Sequence, residues 1–555
     1  MALVQPRIEA DAVGRRYKPG SARRVLCVFP RYAHSFGTFQ YAYPLLGVRA
    51  FMPPQGLLLI AACLPAAWEV RVIDENQRPA SDADYRWADV VFISGMHVQR
   101  PRINAINQQA HAHHTLTVLG GPSVSACPAY YRDVDLLHVG ELGDATDALI
   151  QHIDRTVERP SQQRIFETTD RLPMSDFPLP AYHMLDLRQY FLGSIQFSSG
   201  CPFMCEFCDI PALYGRNPRL KSPERICEEL DAMHAAGLRG AVYFVDDNFV
   251  ANPHATRDLM PALIDWQKRH GYPYRFNCEA TLNLAKMDDT LAMMRDAGFI
   301  TIFCGIETPE PAALEAMRKK QNMRQPILDA VQALNNYGME VVSGIILGLD
   351  TDTPDTADRI IEFIDRSHIP LLTINLLYAL PRTPLYDRLE REGRLIDDPQ
   401  RASNVVYKMD HDQVLAMWHK CIDRAYEPAR LLERFAWQAA HVFPNRLAPR
   451  RKVTVGDIAY GLGVIRRVLW QAGWKSDHRR QFWKVAWPLL KQGRIEDVIH
   501  IGVVSHHLIR FTQDTRRGRG EASFYADPGR AEAFRAKAAK SAETSNAVET
   551  TDAHG

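Results

Sequence analysis

The stretch Gly200-Cys201-Pro202-Phe203-Met204-Cys205-Glu206-Phe207-Cys208 places three cysteines at Cys-x3-Cys-x2-Cys spacing. Thiolates so spaced suit an iron–sulfur cluster, which four cysteines normally close. Three leave one iron open, and an open iron can bind a substrate or cofactor directly. The alternative, a structural zinc site, wants four closed ligands, usually from a second Cys-x2-Cys knuckle or from histidines. The chain has no second knuckle. Its other cysteines, Cys27, Cys63, Cys127, Cys227, Cys278, Cys304 and Cys421, are scattered without framework spacing, as expected of reduced thiols in a cytosolic protein rather than of disulfides.

Something must hold such a loop, and six apolar segments alternate with helical patterns around it: Ile195–Ser198, Ala241–Val245, Tyr274–Cys278, Thr301–Gly305, Val341–Leu347 and Leu372–Tyr378. Six strand–helix units of this length predict a partial (β/α)6 TIM-like barrel over 191–400, in which function gathers at the carboxyl ends of the strands. The cysteines follow the first strand. Asp246-Asp247-Asn248 follow the second, Glu279 the third and Glu307 the fourth, while Ser343-Gly344 and Gly348 belong to the fifth and Pro381-Arg382-Thr383-Pro384 comes after the sixth. Side chains alternate across a strand. If Glu279 faces the interior, so do Asn277 and Arg275; if Glu307 does, so do Gly305 and Phe303. Cys278 and Cys304 then face the helices as packing residues. Any one of these acids alone reads equally as a solvated strand end or a helix cap. The set is harder to assign to accident.

Upstream, from Arg24 to about Ile153, the runs Val25–Phe29, Val70–Ile73, Val90–Ile93, Leu116–Leu119 and Leu136–Val139 alternate with amphipathic stretches. That pattern predicts a doubly wound parallel sheet over 23–155, which binds ligands beyond its strands' carboxyl ends. The polar and glycine-rich turns there are Asp74-Glu75-Asn76, Ser94-Gly95-Met96, Gly120-Gly121 and Gly140-Glu141. Each turn alone could simply terminate its strand; four on one edge make a candidate crevice. A proline-rich stretch, 156–190, reads as a linker. Residues 401–519 read as a helical, basic region, and 1–22 and 520–555 as disordered.

The cysteine spacing, with Phe207 before the third thiol, resembles the signature of the radical S-adenosylmethionine (SAM) enzymes over roughly 193–389. That resemblance implies a [4Fe–4S] cluster on Cys201, Cys205 and Cys208, and SAM on the open iron. It also implies SAM contacts from Phe207, Asp246, Asp247, Asn248, Glu279, Glu307, Ser343, Gly344 and Gly348. A doubly wound domain ahead of the barrel resembles the cobalamin-binding arrangement of the cobalamin-dependent radical SAM group. The residues this implies around cobalamin are Gln55, Gly56, Asp74, Glu75, Asn76, Ser94, Gly95, Met96, Gly120, Gly121, Gly140 and Glu141. One departure is plain. Where mutase-type domains carry Asp-x-His-x-x-Gly, this chain reads Asp74-Glu75-Asn76-Gln77-Arg78-Pro79. Either cobalamin binds without that histidine, or the domain is vestigial or recognises substrate. Phe29-Pro-Arg-Tyr-Ala33, Pro53-Pro-Gln55-Gly56, Gln196-Phe-Ser-Ser-Gly-Cys201, Leu213-Tyr-Gly-Arg216 and Val245-Asp-Asp-Asn-Phe249 are similar to the subfamily that includes the hopanoid C-2 methylases. Methylation of an unactivated carbon of a hydrophobic, hopanoid-like lipid is the implied reaction, with a low-potential donor such as flavodoxin or ferredoxin. A radical SAM cyclase or other non-methylating enzyme, and a non-catalytic cobalamin- or SAM-binding sensor, are the alternatives.

Composition constrains partners more than chemistry. With 66 Lys and Arg against 65 Asp and Glu, the 555-residue chain makes no global electrostatic case for nucleic acid. No run approaches the roughly 18–20 apolar residues of a membrane span. Charge is uneven, however: from Arg446 to Arg519 there are sixteen Lys/Arg against five Asp/Glu, interleaved with Trp470, Trp474, Trp483 and Trp487. Such a segment fits a cytoplasmic protein that meets the inner face of the cytoplasmic membrane. It fits equally a helical cap with core tryptophans and a solvated arginine face. Nucleic acid is disfavoured, since no RNA-binding domain is evident.

Overall fold

The computed structural model describes residues 20–396, 403–449 and 454–517. The segments read as disordered, 1–22 and 520–555, fall outside these residues except for 20–22.

Strands β1 (Arg24–Phe29), β2 (Glu69–Asp74), β3 (Val90–Ser94), β4 (Leu116–Gly120), β5 (Leu136–Val139) and β6 (Arg164–Glu167) form one all-parallel sheet in the order β2-β1-β3-β4-β5-β6. Apolar clusters cover both of its faces, as a parallel sheet requires. The chain steps from β1 to β2 on one side and then returns to β3 on the other. Strand order therefore reverses at β1, where a ligand crevice is expected. The sixth strand lies in the stretch read as a linker. Arg-Ile-Phe-Glu at a sheet edge is mostly exposed, with Ile165 54% accessible, so its sequence lacks the apolar run that marks its neighbours.

The second sheet begins with β7 (Leu192–Ile195), three residues earlier than its sequence pattern suggests. Beyond Ile195 the chain leaves the sheet because the N–H groups of Phe197 and Ser198 donate to the Asp246 carboxylate instead of to a neighbouring strand. Ser198–Ser199 (β8) then pairs antiparallel with Arg219–Leu220 (β9). After these come β10 (Ala241–Phe244), β11 (Arg275–Glu279), β12 (Phe299–Glu307), β13 (Glu340–Leu347) and β14 (Leu371–Leu376). With β7 they make a parallel sheet in the order β14-β13-β12-β11-β10-β7. Its end strands, β7 and β14, do not pair, so the barrel is open on one side. Cys278 and Cys304 are fully buried on the helix side, while Asn277, Glu279, Thr301 and Phe303 face the interior.

Helices at His411–Ala425, Pro428–His441, Val455–Trp470, Arg479–Lys491 and Ile495–Arg516 share one apolar core with the barrel. Trp418 ties the first of them to β14, donating from Nε1 to the Ile374 carbonyl at 2.8 Å. The last returns to the N-terminal half, where His507 Nε2 meets the Phe36 carbonyl at 3.0 Å. Together the two contacts tie the C-terminal helices to the barrel and to the N-terminal half.

Candidate active site

The cysteine loop is clamped at both ends. The β8–β9 clip closes its base, where Gly200 has φ +98° and a Cβ would lie 2.9 Å from the Gly215 carbonyl; a side chain there would force the loop open. Gly200 N–H donates to Asp247 Oδ2 at 2.9 Å, and Cys201 N–H to the Gly215 carbonyl at 3.2 Å. At the far end Glu206, between the second and third cysteines, donates its N–H to Met317 and accepts from Leu385 N–H, each at 2.9 Å. Its carboxylate takes Arg388 Nε at 2.7 Å. Gln321 Nε2 donates to Cys205 Sγ at 3.3 Å. Burial pushes the Cys201 and Cys208 thiols up, and the charge of neighbouring cysteines adds to it. The loop therefore gathers thiols that a bound cation would ionise. Among the described residues, no three His, Cys, Asp or Glu side chains converge on a single-ion site. A four-iron cluster takes one thiolate per iron, so its protein ligands stand around it rather than meeting at a point.

Beside the loop stand three buried acids. Asp246 is pushed up to about 6 by burial although Phe197 and Ser198 N–H groups hold its oxygens. Asp247 and Glu279 are pushed up to about 7, by burial first and then by acidic neighbours: Asp246, Glu141 and Asp209 act on Asp247, and Asp247, Asp246 and Glu307 on Glu279. A cationic group arriving here would relieve that repulsion. Tyr243 OH donates to Glu279 at 3.3 Å, and Asn248 Oδ1 accepts from Thr281 N–H at 3.2 Å. Glu307 sits past a β-bulge with φ +66°, a conformation held by tertiary contacts. Its carboxylate pairs with Lys319 at 2.8 Å, both side chains largely buried, and the Lys319 ammonium lies 5.3 Å from the centre of the Phe207 ring. Burial works against the Lys319 charge, but Glu307 together with Cys205 and Cys208 outweighs it and lifts the ammonium above its usual value. Ser343 faces away from the interior: its hydroxyl donates to the Cys304 carbonyl at 2.7 Å and accepts from Ile306 N–H at 3.2 Å. Gly344, next along, faces inward, and Gly348 packs against the Tyr407 ring.

Of these groups Phe207, Glu279, Glu307 and Gly344 open onto a cavity of about 850 Å³. Phe207, Glu279 and Ile346 line it at the strands' carboxyl ends, and Ala241, Thr301 and Glu340 at their amino ends. Tyr32 and Met96 reach it from the crevice of the first sheet, and Trp418 and Phe511 from the C-terminal helices. Its walls are mainly apolar, and its size is at the upper end of ordinary ligand sites, about 300–1,000 Å³.

Comparison with known proteins bears directly on this arrangement. Residues 45–150 match the B12 binding domain, 195–364 the Radical SAM superfamily and 383–521 a domain of unknown function, DUF4070. The Hopanoid C-2 methylase of Rhodopseudomonas palustris (strain TIE-1) is 56% identical over 91% of this chain and 97% of its own length. The chain belongs to the cobalamin-binding radical SAM methyltransferases. Among solved structures, the cobalamin-dependent radical enzyme OxsB superposes with a TM-score of 0.56 over 93% of this chain and 84% of its own, at 13% identity. The methyltransferase TsrM of Kitasatospora setae, with cobalamin and a [4Fe-4S] cluster bound, gives 0.52 over 67% and 78%, at 16% identity. At such identities these two speak to the fold alone.

The cofactors of this methyltransferase are a [4Fe–4S] cluster, SAM and cobalamin, and the residues present fit them. Buried acids repelling one another suit the cationic amino and sulfonium groups of SAM. In the crevice, Gly121 has φ +96°, and a Cβ there would lie 2.8 Å from Ser94 Oγ and 3.3 Å from the Gly95 backbone. His97, just beyond Met96, keeps a buried Nε2 without a hydrogen-bond partner while Nδ1 meets Ser123 Oγ at 3.1 Å. The two turns thus lie backbone against backbone, and the orphaned nitrogen is a polar group that a ligand at this edge would satisfy.

Several residues expected around cobalamin are engaged elsewhere. Glu75 is buried against Arg102 in a two-pronged pair, 2.6 Å at each prong. Asp74 holds Asn76 and accepts from Tyr190 OH at 3.0 Å, and Asn76 caps Tyr32 N–H at 2.9 Å. Gln55 accepts from Tyr182 OH at 2.9 Å and Ser194 Oγ at 3.3 Å, behind β7, while Gly56 has open space beside it. Gly120 pairs with Ser94 in the sheet, and Gly140 N–H donates to Ser125 Oγ at 2.9 Å. Glu141 reaches out of the first sheet to the cysteine loop, accepting from Ser199 Oγ at 3.0 Å and pairing with Arg219 and, at 3.2 Å, Arg171. Glu206, Lys319, Gln321 and Arg388 escaped sequence reasoning. Lys319, Gln321 and Arg388 lie in charged runs that read as surface, and Glu206 reads as a spacer between two cysteines; their partners come from distant segments of the chain.

Proposed function

We propose that this methyltransferase places a methyl group on C-2 of a hopanoid, an unactivated ring carbon of a polycyclic triterpenoid. The observation that carries the reading is the apolar cavity that joins the cysteine loop to the crevice of the first sheet; the relative from Rhodopseudomonas palustris, named for that reaction, supports it. A saturated carbon offers no lone pair to attack a methyl donor, so the difficult step belongs to the cofactors. When bound, the cluster and SAM supply hydrogen-atom removal from carbon, and cobalamin supplies the methyl group.

In this reading Cys201, Cys205 and Cys208 hold the cluster. Phe207, Asp247, Asn248, Glu279, Glu307 and Gly344 face SAM, with Asp247 and Glu279 accepting its cationic amino group. Asp246, Ser343 and Gly348 shape that wall from behind. Ser94, Gly95, Met96, Gly120, Gly121 and Gly140 border the cobalamin; Gln55, Gly56, Asp74, Glu75, Asn76 and Glu141 hold the crevice in place. Phe36, Phe39, Trp418 and Phe511 exclude water from the reacting carbon. A low-potential donor such as flavodoxin or ferredoxin reduces the cluster. The basic segment 446–519 brings the enzyme to the membrane that holds such a substrate.

The test is lipid profiling of a host in which the gene is deleted and then restored. Restoration with the wild-type chain should return hopanoids methylated at C-2, and Cys208→Ala should not. Methylation at another ring position, or an unchanged profile in the deletion, contradicts the reading.

A further inference from the structure

The helix Val455–Trp470 is apolar on two faces. Its inner face, Val464 and Val468, packs so closely on the helix Ile495–Arg516 that a Cβ at Gly502 would lie 2.3 Å from Val468 Cγ1. Its outer face carries Val455, Ile458, Leu462 and Trp470, 84, 53, 62 and 53% exposed. These recur at helical spacing, and the stripe continues into Trp474, 70% exposed, on the π-turn Gln471–Lys475. An apolar helix face is normally buried against another element, yet this outer stripe stands in water. Trp487, 55% exposed, extends the apolar surface onto the helix Arg479–Lys491.

The surroundings of the stripe are basic. From Ile458 to Arg494 there are eight Lys/Arg and one acid, Asp477. Arg466, Lys475, Lys484 and Lys491 are exposed. The Lys475 and Lys491 ammonium groups lie 5.5 and 5.4 Å from the ring centres of Trp470 and Trp487. Trp470 and Trp474 stack with their centres 6.5 Å apart and planes 6° from parallel. Of the four tryptophans, Trp483 is anchored inward, its Nε1 donating to the Gly473 carbonyl at 2.8 Å; the other three point out. Indole rings ringed by cations match the headgroup zone of an anionic bilayer. A second copy of this chain would bring the same positive charge to the contact and be repelled.

We infer that the face formed by Val455, Ile458, Leu462, Trp470, Trp474 and Trp487 docks in the plane of an anionic phospholipid bilayer. This rests on the lipid-substrate reading in one respect: the helix beneath it, Ile495–Arg516, lines the cavity through His500, Val504 and Phe511. Docking would set the cavity's helical wall against the membrane. No described helix is long and apolar enough to cross one, so the contact is peripheral.

The experiment is co-sedimentation of the full-length protein with vesicles of phosphatidylcholine alone or with a third phosphatidylglycerol, together with tryptophan emission. Phosphatidylglycerol should raise the bound fraction about ten-fold or more and shift emission to the blue, and high salt should reverse most of it. The surface variant Leu462→Ser/Trp470→Ser/Trp474→Ser should abolish binding while keeping the wild-type melting transition. Equal binding to both vesicle types, or undiminished binding by the variant, overturns the proposal. So does a concentration-dependent dimer in sedimentation velocity that the same variant abolishes, which would assign the face to a second copy. Vesicle binding needs no turnover. Binding without C-2 methylation would therefore sink the substrate reading and leave docking standing, and methylation without binding would do the reverse.

Discussion

Lys319 is buried beside the cysteine loop, with Glu307 at 2.8 Å and the Phe207 ring beneath its ammonium. Removing one member of a buried pair strands the other charge, which costs more than the pair contributes. Lys319→Met should therefore lower the unfolding free energy by about 3–5 kcal/mol, read from urea midpoints. Adding Glu307→Gln should return much of that loss. A Lys319→Met protein as stable as wild type would show that Glu307 is not held by this contact. The residue was not legible from sequence, because Arg318-Lys319-Lys320 looks like a solvated charge run. The three cysteines were legible, since their chemistry depends on spacing alone. Glu279 and Glu307 could be placed at strand ends by alternation, but their partners come from distant segments.

At the scale of elements, the helix Pro384–Arg391 is the part that joins barrel to loop. Thr383 caps it, accepting from Tyr386 N–H at 3.1 Å, so the run read as a strand-end motif is also a helix start. Arg388 on that helix grips Glu206 and, at 2.8 Å, Asp350, which Arg394 also holds at 2.6 Å. Burial alone would push the Asp350 carboxyl up, but hydrogen bonds from Arg394 and Arg388 overcome it and hold it down at about 2. A carboxylate depressed by folding stabilises the protein above its unfolded value and loses that contribution as pH falls from about 4 toward 2. Asp350→Asn should cost about 1–3 kcal/mol at neutral pH and flatten the acid limb of a melting-temperature profile. A variant profile that superimposes on the wild type's from pH about 5 to about 3 would rule the clasp out. Long apolar strands such as Val341–Leu347 announce themselves in the sequence. Strand β6 does not, being a four-residue edge with an exposed isoleucine, and β7 ends early because a side-chain carboxylate outcompetes the sheet for two N–H groups.

For the molecule as a whole, the cavity belongs to no single part. Tyr32 and Met96 come from one sheet, Glu279 and Gly344 from the other, and Trp418 and Phe511 from helices near the end of the chain. Alternation and turn residues revealed each part, whereas their closure on one space depends on contacts such as His507 with Phe36, 471 residues apart. Glu141 couples the first sheet to the cysteine loop through Ser199 and Arg219, so the crevice side of that sheet and the loop share one set of side-chain contacts. Joining the two cofactor sites through one apolar space is the central claim. It is tested most directly by counting products from protein reconstituted anaerobically with iron, sulfide and cobalamin, then given reductant, SAM and a hopanoid. About one 5′-deoxyadenosine and one S-adenosylhomocysteine should accompany each hopanoid methylated at C-2, with neither 5′-deoxyadenosine nor methylated hopanoid appearing from Cys205→Ala. Methylated product formed without 5′-deoxyadenosine, or formed undiminished by Cys205→Ala, would contradict the account.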